Sequence, residues 1–502
     1  MIVLSSCNKN DNSIELIHYS LNDLKFEEFA LDDGRSRLCK SFMMNDSTIF
    51  VTIPSGCDLT KMKTVFSYKG AYVCANDIKQ ISGVTEMDYS DFTNPVVFSI
   101  YTELGEKKDY KVLLFDLPVV IINTPENTPV KNKTDWVNNS NMRIIDTDGT
   151  VLYNGETGIK GRGNVSWTSY QKKSYSLKLN DKAKILDMAK SKRWVLLGHS
   201  ADYTKIRTPL SFKICEMVGI EWAPTGKNVE LILNDTILCN YYMCEQIRAE
   251  KNRINITEMN PADTIGEAIT GGYLLEVSQE YDEQYKFRSQ FFDMPFMLKS
   301  PNENVSDKQL EWIETYINLM EESLMDDEKV KAGEYKKYLD EESFVKWWIV
   351  NEICTNIEES KTNKNFYLYK ERGYDSILKA SSPWDFDWGT FRSVAVDEWI
   401  CKDTKYYSKL FKNEGFVNKT KQIWMEFYAN RSKIFESYIE KLRLLNEKSV
   451  KRDRNKYPKD QNDTPTNLDN HMTYEMGVDY IKDVLFHRIE WLNTHINNMI
   501  VE

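Results

Sequence analysis

The sequence predicts an α+β chain in which a small β-sandwich precedes a larger domain, β-rich in its first half and helical in its second. Three observations predict it. Residues 21 to 116 alternate apolar and polar side chains with period two and show no helical pattern. Residues from about 130 to 300 continue as strand-like runs broken by one helical segment. From about residue 306 apolar residues recur at helical spacing, and a single strand-like insertion interrupts them.

Residues 1 to 20 precede the first strands. "MIVLSSCNKND" reads as the end of a bacterial lipoprotein signal: an apolar run, small residues, Cys7 and then a polar tether. The run is short and lacks a basic start, so either the signal is truncated and Cys7 carries a lipid anchor, the expectation adopted, or the match is chance at an ordinary cytosolic N-terminus. From 21 to 116, "STIFVTIPSG" alternates and "VVFSIYTELGEKKDYKVLLF" reads as two strands about a Gly-containing turn, which together suit an immunoglobulin-like β-sandwich. "LPVVIINTPENTP" opens a second domain, placed at 117 to 502. "MRIIDTDGTVLYNGE" carries the Asp-Gly turn of a hairpin, and "KKSYSLKLN" and "NVELILNDTILCNYYMCEQI" alternate as strands. A helix near 203 to 219 ends on Gly219. In "SDKQLEWIETYINLMEESL", Ser306 caps a helix that places Leu310, Ile313, Ile317 and Met320 on one face. Segments 341 to 357, 416 to 450 and 473 to 499 keep the same period. A β-rich half followed by a helical half suits a cleft between two lobes.

Composition narrows the function classes. Hydrophobic residues make up 41% and charged residues 28% of the 502, which is ordinary for a globular protein. A net charge of −11 argues against general nucleic-acid binding, so an anionic ligand needs a local basic patch. The nine Cys and five His are scattered without CxxC or zinc spacing, which disfavours a His- or Cys-based metal site. Apart from Cys7, the cysteines are expected to pack as small hydrophobes. No segment approaches the ~20 apolar residues of a membrane span.

Three constellations are candidates for chemistry. In "SSPWDFDWGTFR", Asp385 and Asp387 sit among Pro383, Trp384, Phe386, Trp388 and Phe391, all expected to bury. An extended chain points residues i and i+2 to one face, so both carboxylates can converge on a hard cation such as Mg²⁺, with Asn363 and Asn365 a short hairpin away. As structure alone, one Asp caps a turn and the other pairs with Arg392 or a lysine. In "GIKGRGNVSWTSYQKKSYSLKL", Gly158, Gly161 and Gly163 allow close backbone approach, and Lys160, Arg162, Lys172, Lys173 and Lys178 can neutralise an anion. As structure alone, this is a tight turn with solvated lysines. In "YYMCEQI", Glu245 lies mid-strand and needs a basic partner, Lys173 or Lys178, or else faces water or Arg248 at a strand edge. No nucleophile elbow or Ser–His–Asp set is present.

Taken in order along the chain, these runs resemble the CotH kinase family, named for spore coat protein H. "KGRGNVSW" resembles its Gly-containing turn and "KKSYSLKL" its lysine strand. "WVLLGHSADYTKIRTPLSFKICEMVGI" resembles its Trp-Leu, Asp and Arg-bearing helix segment. "VELILNDTILCNYYMCEQI" resembles its hairpin ending in Glu-Gln, and "KNFYLY" and "PWDFDWG" its Asn strand and acidic loop. The resemblance implies an atypical, divergent protein-kinase-like two-lobe domain that binds ATP with Mg²⁺ and phosphorylates Ser or Thr of a secreted or surface protein. It implies Asp387, Asp385 and Asn365 as metal ligands, with Lys178 or Lys173 on the phosphates and Glu245 orienting that lysine. Arg162, Asn164, Gly161 and Gly163 would shape the turn over the nucleotide. Glu358 stands where the family often carries a candidate catalytic Asp, one methylene longer, which favours either weak turnover or an inactive relative. The preceding β-domain and Cys7 resemble surface lipoproteins of gut Bacteroidetes, which implies the cell envelope. The alternative is a structural module that binds a glycan or a protein; a glycoside hydrolase using Asp385 and Asp387 leaves the lysine strand without a role.

Overall fold

The computed structural model describes residues 18–35, 38–54, 57–357, 365–404, 406–458 and 472–501. Cys7 and the lipoprotein-like start lie outside the described residues. The first β-region comprises β1 (Lys25–Asp32), β2 (Leu38–Met44), β3 (Thr48–Thr52), β4 (Met62–Lys69), β5 (Tyr72–Ala75), β6 (Ile78–Lys79), β7 (Glu86–Met87), β8 (Val97–Tyr101) and β9 (Lys107–Phe115). They hydrogen-bond in the order β6-β5-β8-β9-β3-β2-β1-β4-β7. β2 turns the corner: Leu38 to Lys40 pair with β1, and after a register shift Met43 and Met44 pair with β3. The alternating apolar residues of both parts therefore face each other, and Phe26, Phe29, Phe66, Phe98 and Tyr110 interlock edge to face in one core. β3 and β9 run parallel.

β9 ends at Phe115, and the next strand starts at Val119 inside a closed barrel. Its members are β10 (Val119–Asn123), β11 (Val137–Ile145), β12 (Val151–Arg162), β13 (Ser174–Ala183), β14 (Ser191–Leu197), β15 (Gly226–Leu233) and β16 (Thr236–Glu245). The order is β10-β11-β12-β13-β14-β16-β15, closed by a parallel β10–β15 pair. The expected Asp-Gly hairpin joins β11 and β12, with Gly149 at φ +88. Inward residues such as Ile144, Ile159, Leu177, Trp194, Leu231 and Met243 fill the barrel. A third sheet follows from β17 (Tyr273–Val277), β18 (Lys286–Arg288), β19 (Pro295–Ser300), β20 (Phe366–Lys370) and β21 (Lys379–Ala380), in the order β18-β19-β17-β20-β21.

The helices are α1 (Val165–Thr168), α2 (Arg207–Val218), α3 (Asp307–Met325), α4 (Asp327–Ala332), α5 (Glu341–Cys354), α6 (Tyr407–Leu410), α7 (Glu414–Ala429), α8 (Ile439–Lys456) and α9 (Tyr474–Asn497). Gly219 ends α2 in the left-handed conformation, and Ser306 caps α3 reciprocally with Gln309. Ile313, Ile317 and Met320 are fully buried, as the period predicts. α5 is polar in its first turn and enclosed thereafter: from Phe344 to Cys354 every residue but Lys346 is buried. The single helix expected over 416 to 450 is two. α7 stops at Asn430, and a π-turn at Ile434–Tyr438 leads into α8. Asn430 and Ser432 favour local side-chain bonds over a continuous helix. No helix among the described residues is long and apolar enough to cross a membrane.

α8 lies against β16, and a buried polar seam joins them. Asn240 donates to Asn446 Oδ1 at 3.2 Å and to Ser449 Oγ at 2.9 Å. Asp453 receives Lys172 and, at 3.1 Å, Lys205. Two buried ammonium groups on one carboxylate need further acceptors. Lys172 finds the Asn240 carbonyl, and Lys205 the His199 carbonyl at 2.8 Å.

Candidate functional site

Where the barrel end meets the third sheet and α2, a cavity of about 590 Å³ opens. That is within the usual range of ligand sites. The end of β12 and its turn contribute Arg162, Gly163 and Asn164; the turn after β14 contributes His199 and Ser200. α2 contributes Thr208 and Phe212, the third sheet Glu276, Lys299 and Tyr367, and the acidic loop Trp384 to Trp388, with Asn365 beside them. Six residues singled out from the sequence, Arg162, Gly163, Asn164, Asn365, Asp385 and Asp387, thus share one wall.

The acidic loop is not a strand. Asp385 has a left-handed backbone (φ +68), so a turn, and not the alternation expected of an extended chain, brings both carboxylates to the cavity. Its rings hold it in place. Trp384 and Phe386 pack on Phe212 of α2, with centroids at 5.7 and 5.8 Å. Trp388 departs from expectation and is 38% exposed at the cavity. The far side of the loop is clamped by Arg207, whose Nε donates to the Thr390 carbonyl at 2.9 Å while Nη1 meets Asp202 at 2.9 Å. Burial alone would raise the Asp202 carboxyl, but Arg207 wins and holds it down at about 2.

Asp387 has the opposite balance. Burial, then the charge of Asp385, then that of Asp202 push it up to about 7, against the pull of Lys205. It is half-buried, whereas Asp385 is exposed. A carboxylate in this state is short of positive charge. The amide Nδ2 of Asn365 is buried without a partner. That NH2 is a donor and suits a phosphoryl oxygen, whereas the two carboxylates and the Asn365 amide oxygen make the oxygen set a hard divalent cation takes, with phosphate or water oxygens completing it. On this observation the residues fit Mg²⁺ and a polyphosphate.

The turn over the cavity rests on one glycine. Gly163 has φ +89, and a Cβ there would fall 1.9 Å from Ser166 Oγ, so another residue would be strained in this left-handed conformation and would force the Ser166 hydroxyl to move. Gly161 serves packing: its Cβ position lies 2.5 Å from the Trp167 indole. The Arg162 guanidinium stacks 5.0 Å over Trp384 and faces the cavity, and Asn164 Oδ1 accepts from Lys133 at 2.5 Å.

The expected lysines and their partner lie elsewhere. Lys178 is exposed on β13, opposite Gly158 and Arg193 in register, because its side of the strand faces away from the filled barrel. Lys173 donates to the Trp167 carbonyl at 2.5 Å and does not line the cavity. Glu245 is buried, but its partners are Thr225 (3.1 and 3.0 Å) and Arg253 (3.7 Å), not a lysine. Glu358 lies outside the described residues. The cavity's own lysine is Lys299 on β19, held by Glu276 at 3.1 Å and Glu283 at 2.5 Å, with Tyr367 donating to Glu276 at 2.7 Å. Lys299, Glu276 and His199 were missed: Lys299 and Glu276 sit in strands without a local motif, and His199 lies in a run matched to the family in which it was not singled out. Asp202 and Arg207 lie in a run matched to the family, yet the run gives no hint that Arg207 clamps a loop near residue 390.

A model of the CotH kinase protein family matches residues 159–492 of this chain. No curated protein matches it significantly. Among solved structures, a Bacteroides thetaiotaomicron VPI-5482 protein described as a "putative glycoside hydrolase" matches at 12% identity with a TM-score of 0.18. That match covers 53% of this chain and 63% of the other, so the chain spans less than two thirds of that protein's length. At such a score the likeness bears on neither activity nor mechanism.

Proposed function

Because the chain belongs to the CotH kinase protein family, we propose that it is an atypical kinase that transfers phosphate from Mg-ATP to a Ser or Thr hydroxyl of a secreted or surface protein. The observation that carries the reading is the Asp385–Asp387 pair in a ligand-sized cavity, with Asp387 pushed up to about 7 for want of positive charge. When bound, Mg-ATP supplies that charge and the transferable phosphoryl group. Asp387, Asp385 and Asn365 hold the metal, and Arg162 and the Gly163–Asn164 backbone face the polyphosphate. Asp385 is the more exposed of the two carboxylates. Glu358 takes the place of the family's candidate catalytic Asp. The barrel with its neighbours reads as the first lobe and the helical region as the second. The first β-region reads as an immunoglobulin-like module, and Cys7 as a lipid anchor that places the protein at the cell envelope.

One observation favours a second reading, a relative that binds without turning over. Lys178, Lys173 and Glu245 stand away from the cavity, so the lysine–glutamate pair of a working kinase is not formed by them. Thermal melts separate the readings in two steps. ATP at a hundred times its dissociation constant adds about 2.7 kcal/mol, and this gain should require Mg²⁺ and be lost in Asp387→Ala. Phosphotransfer to a generic acceptor protein then distinguishes kinase from inactive relative. No shift at millimolar Mg-ATP would refute both and leave a glycan- or protein-binding surface module.

A further inference from the structure

His199 has no part in the chemistry described so far. Its ring is 2% exposed, lines the cavity, and has neither Nδ1 nor Nε2 hydrogen-bonded. Among the described residues of the cavity wall, His199 and Asn365 are those with buried side-chain nitrogens that lack a partner. Such groups are rare in folded proteins because the lost water bonds are not replaced.

The ring is held there deliberately. The His199 backbone is left-handed (φ +46), and its carbonyl accepts both Lys205 Nζ at 2.8 Å and the Asp202 amide at 3.2 Å. The imidazole stacks on Tyr242 with centroids 5.7 Å apart. Burial keeps it neutral, with Lys205 and Lys172 opposing the pull of Asp202. A neutral imidazole carries one N–H donor and one bare nitrogen. His199 lines the same cavity as Asp385, Asp387 and Asn365, and the charges of Asp202 and Lys205 act on both His199 and Asp387.

We infer that His199 is a binding residue whose neutral ring N–H donates a hydrogen bond to a phosphoryl oxygen of the nucleotide. The inference rests on the nucleotide reading above. Phosphoryl oxygens accept and do not donate, so the N–H is the useful half of the ring.

The test compares the full chain with His199→Phe and His199→Gln by thermal melting, alone and with Mg-ATP, Mg-tripolyphosphate or adenosine. His199→Phe keeps a ring and removes the unpaired atoms, so its melting temperature without ligand should equal or exceed that of the parent. Its shift with Mg-ATP and Mg-tripolyphosphate should fall to about half, the result of a tenfold weaker affinity at a hundred times the parental dissociation constant. The adenosine shift should stay unchanged, and His199→Gln, which keeps an N–H donor, should retain more of the phosphate response. Equal Mg-ATP shifts in His199→Phe and the parent would overturn the inference. So would a loss seen with adenosine alone, which would move the ring to the base or ribose. A parent that ignores Mg-ATP and tripolyphosphate refutes the nucleotide reading itself, and this inference with it.

Discussion

Replacing Asp387 by Asn should stabilise the ligand-free protein, and only above acid pH. The Asp387 carboxyl rises from 3.8 to about 7 in the folded chain. Below pH 4 it is protonated whether the chain is folded or not, and the site costs nothing. Between pH 4 and 7 the unfolded chain releases a proton that the folded chain retains, so stability falls as pH rises. Above pH 7 the cost is complete. At 1.36 kcal/mol per pH unit it is on the order of 4 kcal/mol at most, and the half-exposed position screens it to roughly 2 kcal/mol. Asn removes the charge and keeps the shape. Melts at pH 5 and pH 8 should therefore show Asp387→Asn higher by a few degrees at pH 8, with the gap much reduced at pH 5. Asp385→Asn removes the second-largest cause and should move the parental pH midpoint towards acid. A gap of equal size at both pH values, or a variant less stable at pH 8, would refute the reasoning.

Four further substitutions test other parts of the structure. Asp453→Asn leaves Lys172 and Lys205 buried without their carboxylate, which should cost about 3–5 kcal/mol and lower the melting temperature sharply. Lys178→Ala, at an exposed position, should change stability by less than about 0.5 kcal/mol and leave the Mg-ATP shift intact; Arg162→Ala should reduce that shift in the same titration. Gly163→Ala places a Cβ in the left-handed region against Ser166 and should cost about 1–3 kcal/mol while weakening the Mg-ATP response.

Local signals were legible in the sequence. Ser306 with Gln309, Gly219 after α2 and the Asp148–Gly149 turn lie within a few residues of what they control, and each appears where its chemistry places it. Six residues from runs of unusual composition, Arg162, Gly163, Asn164, Asn365, Asp385 and Asp387, line one cavity. Long-range pairing was not legible. Lys172 meets Asp453 from the other end of the chain, and Arg207 clamps the loop at Thr390; no local pattern encodes either. Glu245 shows the difference. Its need for a cation was readable from its apolar neighbours, but the cation is Arg253, because Lys178 points out of the barrel. Asp385 shows another: the period-two rule fails where one left-handed residue turns the chain.

The junction between β9 and β10 is residues 116–118, and it is not a hinge. Phe50 and Phe115 share a buried cluster with Val119, Ile121, Ile145 and Ile232 of the barrel. Arg452 of α8 spans the joint, donating to the Leu114 carbonyl and covering the Phe92 and Phe115 rings at 5.3 and 4.7 Å. Its neighbour on the helix is Asp453, which grips the lysines behind the cavity. A connection this short and this greasy transmits orientation. The shared cluster and the Arg452 contacts tie the first β-region to the barrel and to α8. Trimming the chain at residue 117 would leave a raw apolar seam and release the helix that braces the site.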